Sequence, residues 1–336
     1  MRSFAIQKHS RAPIWPLYLG LLLTSMQTLN LTIVICTHNR AKLLSLTIAS
    51  LNSAMRPKNC NLSILVVANA CRDETITKLQ QYIKTQGSIN DFPLHYCEEP
   101  KPGKSHALNL ALKKTTTGYI AFVDDDHRVD SNYLLSITNA ITKHPKCLLF
   151  CGRIIPDWTG EEASWVHSRG QYKIYPLPVP HFELGTQALT LGADQRIPGG
   201  GNLIASTELF NKIGGFCTDL GPKGRSLLGG EDSDFVLRSL EAGQELRYEP
   251  AIIQYHYVDL ARFKLHYLLQ KSFQRSRSII LAHNPGSSRI PTYQWRKLLN
   301  YSTRAIFSLS WKKTRFYLMR IASTLGEITG YLGKIR

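Results

Sequence analysis

This 336-residue sequence predicts an α/β fold: a mainly parallel sheet flanked by helices, followed by a basic helical tail. Three observations lead there. Runs of aliphatic, often β-branched residues alternate with helically spaced apolar stripes over 31–123, the pattern of successive βαβ units. One run, Tyr119-Ile120-Ala121-Phe122-Val123, is short and apolar or aromatic, and it stops at Asp124-Asp125-Asp126. It reads as a strand covered on both faces, whose carboxyl end is where ligands bind in open α/β sheets. Charge is also unevenly placed: residues 1–260 hold 26 Lys and Arg against 23 Asp and Glu, whereas 261–336 hold 15 against one, Glu327.

The elements follow in order. Leu31-Thr32-Ile33-Val34-Ile35-Cys36 reads as the first strand, Thr37-His38-Asn39-Arg40 as the turn after it, and Leu43, Leu44, Leu46, Ile48 and Leu51 as a helical stripe. A second strand over 62–67 ends at Ala68-Asn69-Ala70-Cys71, before a helix carrying Ile76, Leu79 and Ile83. A short third strand around Leu94-His95-Tyr96 precedes a helix over 106–114 and then the carboxylate strand. A further helix starts near Asn132, and Ile252-Ile253-Gln254-Tyr255-His256-Tyr257-Val258 is strand-like. No repeat of 20–50 residues is visible.

Composition narrows the class. With 43% hydrophobic and 19% charged residues the chain is globular rather than disordered. Seven scattered cysteines without a C-x-x-C pair read as reduced thiols. Residues 1–30 form a leader whose apolar run, Ile14 to Leu23, is interrupted at Pro16 and falls short of the ~20 residues that span a bilayer. Gly103-Lys104-Ser105 lacks the upstream glycine of a phosphate loop, because Glu98 stands there. Lys104 reads either as a phosphate contact or as a solvated helix-start residue.

Three adjacent carboxylates repel one another unless a cation offsets them. Hard carboxylate oxygens at a strand end therefore point to Mg²⁺ or Mn²⁺ carrying substrate phosphates, with a solvated acidic turn as the bland reading. Four segments then combine: Ile33 to Arg40, Val66 to Thr75, Phe122 to Asp126, and Gly229-Gly230-Glu231-Asp232 preceded by Gly199-Gly200-Gly201-Asn202. In order and spacing they resemble the family 2 glycosyltransferases, which have the nucleotide-sugar-binding GT-A fold.

That resemblance implies a GT-A domain over 31–260 with the tail at 261–336. It also implies transfer of a sugar from a nucleoside-diphosphate sugar, UDP- or GDP-linked, to a hydroxyl of a glycan or lipid-linked glycan, with inversion. It places Thr37, His38, Asn39, Arg40, Asn69, Lys104, Asp124, Asp125 and Arg277 on the nucleotide sugar, and Asp126 with His256 on the metal. Gly200, Gly201, Asn202 and Glu231 fall on the acceptor side, with Asp232 as the base. Cys36 and His38 stand where proline and tyrosine are usual, and Ala68 replaces an acid, leaving Asn69 to read the base.

Rival readings are specific. Asp232 could merely cap the helix over 235–240, and His256 could be a satisfied core group. Trp158, Trp165, Tyr172, Tyr175 and Phe182, in a segment read as an acceptor-side lid, suit sugar rings, yet core filling is the commoner use of such residues. A sugar nucleotidyltransferase, or a degenerate sugar-binding module, would share the sheet. In the tail, Arg296, Lys297, Arg304, Lys312, Lys313, Arg315 and Arg320 interleave with apolar residues at helical spacing. This suits a helix lying on an anionic membrane surface, or helices docked on the core with a solvated basic face. Nucleic acid is excluded as a partner because no reader motif accompanies the charge. The expected location is cytoplasmic, peripheral at the inner face of the cell membrane.

Overall fold

The computed structural model describes residues 28–85, 92–220, 230–283 and 289–333. Most of the 1–30 leader, and the glycine-dense loop after Leu220 together with Gly229, lie outside the described residues.

The first half forms as the apolar pattern predicts, with the first three strands slightly longer and the fourth one residue shorter. β1 (Leu29–Thr37), β2 (Cys60–Asn69), β3 (Leu94–Glu99) and β4 (Tyr119–Phe122) lie parallel in the order β3-β2-β1-β4. Between them run α1 (Ala41–Asn52), α2 (Thr75–Thr85) and α3 (Lys104–Lys114). The alternation of a strand covered on both faces explains why β1 is continuously apolar over Ile33-Val34-Ile35. Ile33 and Ile35 pack with Leu44, Ile48 and Leu51 of α1, whereas Val34 joins Ala107 and Leu108 of α3 in the core on the other face.

Beyond β4 come β5 (His127–Val129), α4 (Tyr133–Lys143), β6 (Leu149–Asp157), β7 (Leu189–Leu191) and β8 (Leu203–Ser206). They are followed by α5 (Thr207–Ile213), α6 (Glu231–Glu241) and β9 (Leu246–Tyr257). The sheet continues β4-β8-β6-β9-β5. β8 is antiparallel to β4 and β6; β6 and β9 are parallel. β7 and β5 pair antiparallel, one after the other, along the free side of β9. β1 to β4, β6 and β9 thus share one direction, so the sheet is mainly parallel.

The lid aromatics are largely core. Trp158 and Trp165 pack on Phe263 and Val166, and Phe182 lies against Tyr248 with ring centroids 6.0 Å apart. Tyr175 alone of the five is exposed.

The tail is helical but not a lone surface helix. α7 (Leu265–His283), α8 (Thr292–Ile306) and α9 (Trp311–Leu332) pack together, with α9 against both others. The seam depends on glycine: a Cβ at Gly326 would lie 2.1 Å from the Phe273 carbonyl oxygen, and one at Gly330 2.7 Å from the Ile280 Cβ. Arg315 is buried with its guanidinium 3.8 Å from the Trp165 ring centroid, and Tyr172 meets Phe316 and Tyr317, so the tail is clamped to the body. Gly326→Ala should lower stability by about 1–3 kcal/mol, the usual range for an overpacked seam, read as a lower denaturation midpoint. An unchanged midpoint would show that the α7–α9 approach is looser than described.

Candidate active site

The carboxyl ends of β1, β2 and β4 converge on a cavity of about 320 Å³, large enough for a small ligand. Thr37, His38, Arg40, Asn69, Lys104, Asp124, Asp125, Asp126 and His256 line it, together with Cys36. Most nucleotide-side residues expected from sequence are therefore brought together. Two turns reach the left-handed region without glycine, at Asn39 (φ 53°) and Ala70 (φ 48°). Asn39 offsets that strain locally, its Oδ1 accepting from the backbone N–H groups of Arg72 and Asp73 at 2.6 and 3.2 Å.

The three carboxylates have separate partners. Asp125 is buried, accepting from Thr37 Oγ1 at 2.7 Å and from Arg40 Nη1 at 2.9 Å. Burial pushes its carboxyl up, Arg40 pulls it down and Asp126 adds to the rise. The same Arg40 Nη1 reaches Asp126 Oδ2 at 2.9 Å. Asp124 takes Lys104 Nζ at 2.9 Å. Burial would raise Asp124, but the Lys104 ammonium holds it well below the usual carboxylate range. Burial likewise works against charge on Lys104, yet Asp124, Asp232 and Glu231 keep its ammonium well above its ordinary value. The acidic turn is thus neither solvated nor free.

A cluster not foreseen in full sits beside it. Asp126, His127 and His256 offer ligand atoms within 4.8 Å of one another. His127 and His256 face each other directly across the β5–β9 pair, and Gln254 shares the His256 face because strand side chains alternate. The proton positions follow from the network. Gln254 Nε2 donates to the Phe122 carbonyl at 3.0 Å, so its Oε1 is the atom meeting His127 Nδ1, which must carry the proton. His256 Nδ1 donates to the Tyr257 carbonyl at 2.6 Å.

The His256 Nε2 lone pair therefore faces Asp126 at 3.6 Å, and that of His127 lies between Asp124 at 3.9 Å and Asp126 at 4.0 Å. His127 Nε2 is buried without a hydrogen-bond partner. Burial keeps His256 below its usual pKa despite the pull of Asp126, the neutral form that ligates metals. Two imidazoles and a carboxylate, each held from behind, are a donor set of the kind that suits a divalent transition ion.

On the other side, Asp232 does not cap its own helix. Its Oδ2 accepts from the Gly200 backbone N–H at 2.8 Å and lies 3.9 Å from Lys104 Nζ. A Cβ on Gly200 would lie 2.0 Å from Asp232 Oδ1, and one on Gly201 2.7 Å from Asp124 Oδ2. These glycines are therefore what lets both carboxylates sit where they do. Glu231 is buried, and burial followed by the Asp232 charge raises its carboxyl.

Three expected residues are placed elsewhere or differently. Asn202 is 1% exposed, its amide spent on the Arg153 and Ile252 carbonyls and its Oδ1 on Gln254 Nε2; it braces the floor and does not face an acceptor. Asn69 lines the cavity, but its amide is committed to Glu99 O, Lys101 O and Gly103 N–H, so it shapes the 99–103 loop rather than presenting a free edge to a base. Arg277 is exposed on α7, its Nη2 near the end of α9, and does not line the cavity. The residue missed outright is His127, whose signal was adjacency to the acidic triplet.

Comparison with known proteins adds context. A family model described as Glycosyl transferase family 2 matches residues 32–207. The chain is similar to a glucosyl-dolichyl phosphate glucuronosyltransferase of Haloferax volcanii, 20% identical over 261 residues that cover 74% of this chain and 76% of the relative. In fold it is similar to the mannosyltransferase PcManGT from Pyrobaculum calidifontis in complex with GDP-Man and Mn²⁺, at 17% identity, TM-score 0.53, covering 88% of this chain and 86% of that one. It is also similar to S. aureus TarS 1-349 in complex with UDP-GlcNAc, at 16% identity, TM-score 0.51 and 90% of each chain. The fold is of the GT-A type shared by these neighbours.

Proposed function

Because the chain belongs to glycosyl transferase family 2 and is a glycosyltransferase, we propose that it transfers a sugar from a UDP- or GDP-sugar to an acceptor hydroxyl with inversion, assisted by a divalent cation. The observation carrying this reading is the division of labour around Asp124 and Lys104. On one side lies a carboxylate with two inward-facing imidazole lone pairs; on the other lies Asp232, held at Gly200 and clear of its own helix cap.

In this reading the nucleotide occupies the cavity at the ends of β1, β2 and β4. Arg40 stands over Asp125 and Asp126, where its guanidinium suits a diphosphate. Asp126, His127 and His256 would hold Mg²⁺ or Mn²⁺, which when bound stabilises charge growing on the departing diphosphate. The acceptor hydroxyl gives its proton to an Asp232 carboxylate oxygen as its own oxygen bonds to the anomeric carbon. The bond from that carbon to the diphosphate oxygen breaks, and the nucleoside diphosphate leaves with the electron pair. Attack opposite the leaving group inverts the centre. Gly200 and Gly201 keep the floor on the Asp232 side free of side chains. A sugar nucleotidyltransferase has no need of Asp232 in this position.

The test is a thermal-shift and turnover screen of UDP-, GDP-, CMP- and dTDP-sugars in EDTA, Mg²⁺ and Mn²⁺. One nucleotide class should stabilise the protein only with metal. Two imidazole donors favour the transition ion, so Mn²⁺ should reach half-maximal effect at roughly tenfold lower concentration than Mg²⁺. Undiminished turnover in EDTA would overturn the metal-assisted reading.

A membrane-surface location also belongs to this reading, with a lipid-linked acceptor as its counterpart. No helix among the described residues is long and apolar enough to cross a membrane. Yet the turn joining α8 to α9 exposes Ile306, Phe307, Leu309 and Trp311, flanked by Arg304, Lys312 and Lys313. Apolar tips ringed by cations suit the headgroup region of an anionic bilayer. Leu309→Asp with Phe307→Asp should reduce co-sedimentation with phosphatidylglycerol vesicles at least several-fold. Unchanged pelleting would assign membrane contact elsewhere or nowhere.

A further inference from the structure

A second cavity, of about 420 Å³, lies between the 173–178 segment and the helices α7 and α9. It shares no lining residue with the catalytic cavity. Its charged lining is wholly positive: Lys173, Lys271, Arg275 and Arg320. Among the described residues none of these forms an ion pair; Lys173 and Arg320 lie over the rings of Tyr175 and Phe316, and Lys271 and Arg275 have no such contact. The tail's one acid, Glu327, is taken by Lys297 at 2.8 Å. Ser276 and Ser323 hydroxyls meet at 2.7 Å, and since only one of them donates to the other, the second keeps a hydrogen to offer.

Four like charges around one cavity repel one another, and an anion seated among them offsets that repulsion. Burial, then Arg262 and Arg275, holds Lys271 below the usual lysine value. These four line one cavity from two helices and a loop, Lys271 half-buried and Lys173, Arg275 and Arg320 exposed, together with the Ser276 and Ser323 hydroxyls. Several separate cations with hydroxyls match a compact group with many oxygens, and Arg275 and Arg320 add planar donor forks. The apolar side of the cavity, at Leu268 and Met319, accommodates whatever the anion is attached to.

We propose that this cavity binds the phosphate or pyrophosphate group of a ligand other than the nucleotide sugar. Two sources share that chemistry: a membrane-lipid headgroup and a soluble phosphoester. The site stands independently of the transfer reading, since none of its residues belongs to the catalytic cavity.

The experiment titrates the full-length protein with inorganic pyrophosphate in EDTA, following binding by calorimetry and melting temperature together. Wild type should bind, and Lys271→Met with Arg275→Gln should weaken binding at least tenfold, whereas Asp126→Asn should not. Lys271→Met alone should melt no lower than wild type, because it removes a half-buried unpaired charge, while losing the rise in melting temperature that pyrophosphate gives the parent. That pairing separates a lost ligand site from a damaged fold. Absence of pyrophosphate binding by wild type, equal binding by the double variant, or loss of binding only in Asp126→Asn would each overturn the assignment. Phosphatidic acid vesicles, with phosphatidylcholine as control, distinguish the sources. Pelleting lost in Lys271→Met/Arg275→Gln identifies a lipid headgroup; pelleting retained while pyrophosphate binding is lost identifies a soluble phosphoester.

Discussion

Asp232→Asn should lower glycosyl transfer by roughly 10²–10⁴-fold, the span associated with a positioned general base, while metal-dependent nucleotide binding stays at the parent level. The geometry makes the substitution clean. An asparagine Oδ1 can still accept from the Gly200 N–H now bonded at 2.8 Å, so the Gly200–Asn202 turn keeps its anchor while the proton acceptor, and with it one charge 3.9 Å from Lys104 Nζ, is removed. Glu231→Gln is the matched control: Glu231 is buried and adjacent, so its loss should act through the position of Asp232 and cost less. Initial rates with saturating donor, beside a nucleotide thermal shift, measure both. Turnover within a factor of a few of the parent in Asp232→Asn would remove Asp232 from the chemistry.

Asp126→Asn should abolish the stabilisation that nucleotide plus Mn²⁺ confers, about 2.7 kcal/mol when ligand is present at a hundredfold its dissociation constant. His127→Ala should do nearly the same, which separates a ligand from a satisfied core histidine. The more telling variant touches no metal. Gln254→Leu frees His127 Nδ1 from the acceptor that fixes its proton, and loss of such an outer partner typically costs 10–100-fold in metal affinity. A thermal-shift titration with Mn²⁺ reads all three. If His127→Ala and Gln254→Leu titrate like the parent, the imidazole on β5 is structural.

Much of this was legible because it is local. A buried strand breaking at Asp124 announces itself in five residues, and the β1, β2 and β4 turns carry their chemistry within a few positions of a strand end. What was not legible depends on pairing across the chain. His127 becomes a candidate ligand only because β9 runs antiparallel to β5 in the register that sets His256 opposite it. Asn202 and Asn69 have polar side chains in the expected places, but which neighbours consume their amides is decided by β6, β9 and the 99–103 loop. The tail's charge could be counted, yet its docking turns on two glycines in α9 that admit α7. Arg277 fell on the wrong side for the same reason: a helix face is chosen by its partner, not by its own composition.

The free side of β9 has a consequence for colloidal behaviour. A long bare strand margin invites another chain to add itself by backbone hydrogen bonding. Here that margin is divided between β7 and β5, each only three residues long. β5 carries Arg128 outward, tied to Asp157 at 2.8 Å and stacked on Tyr255. The strand that carries His127 is thus too short, and at Arg128 too charged, to template aggregation, and the protein can keep its chemistry at the rim of the sheet without becoming sticky there.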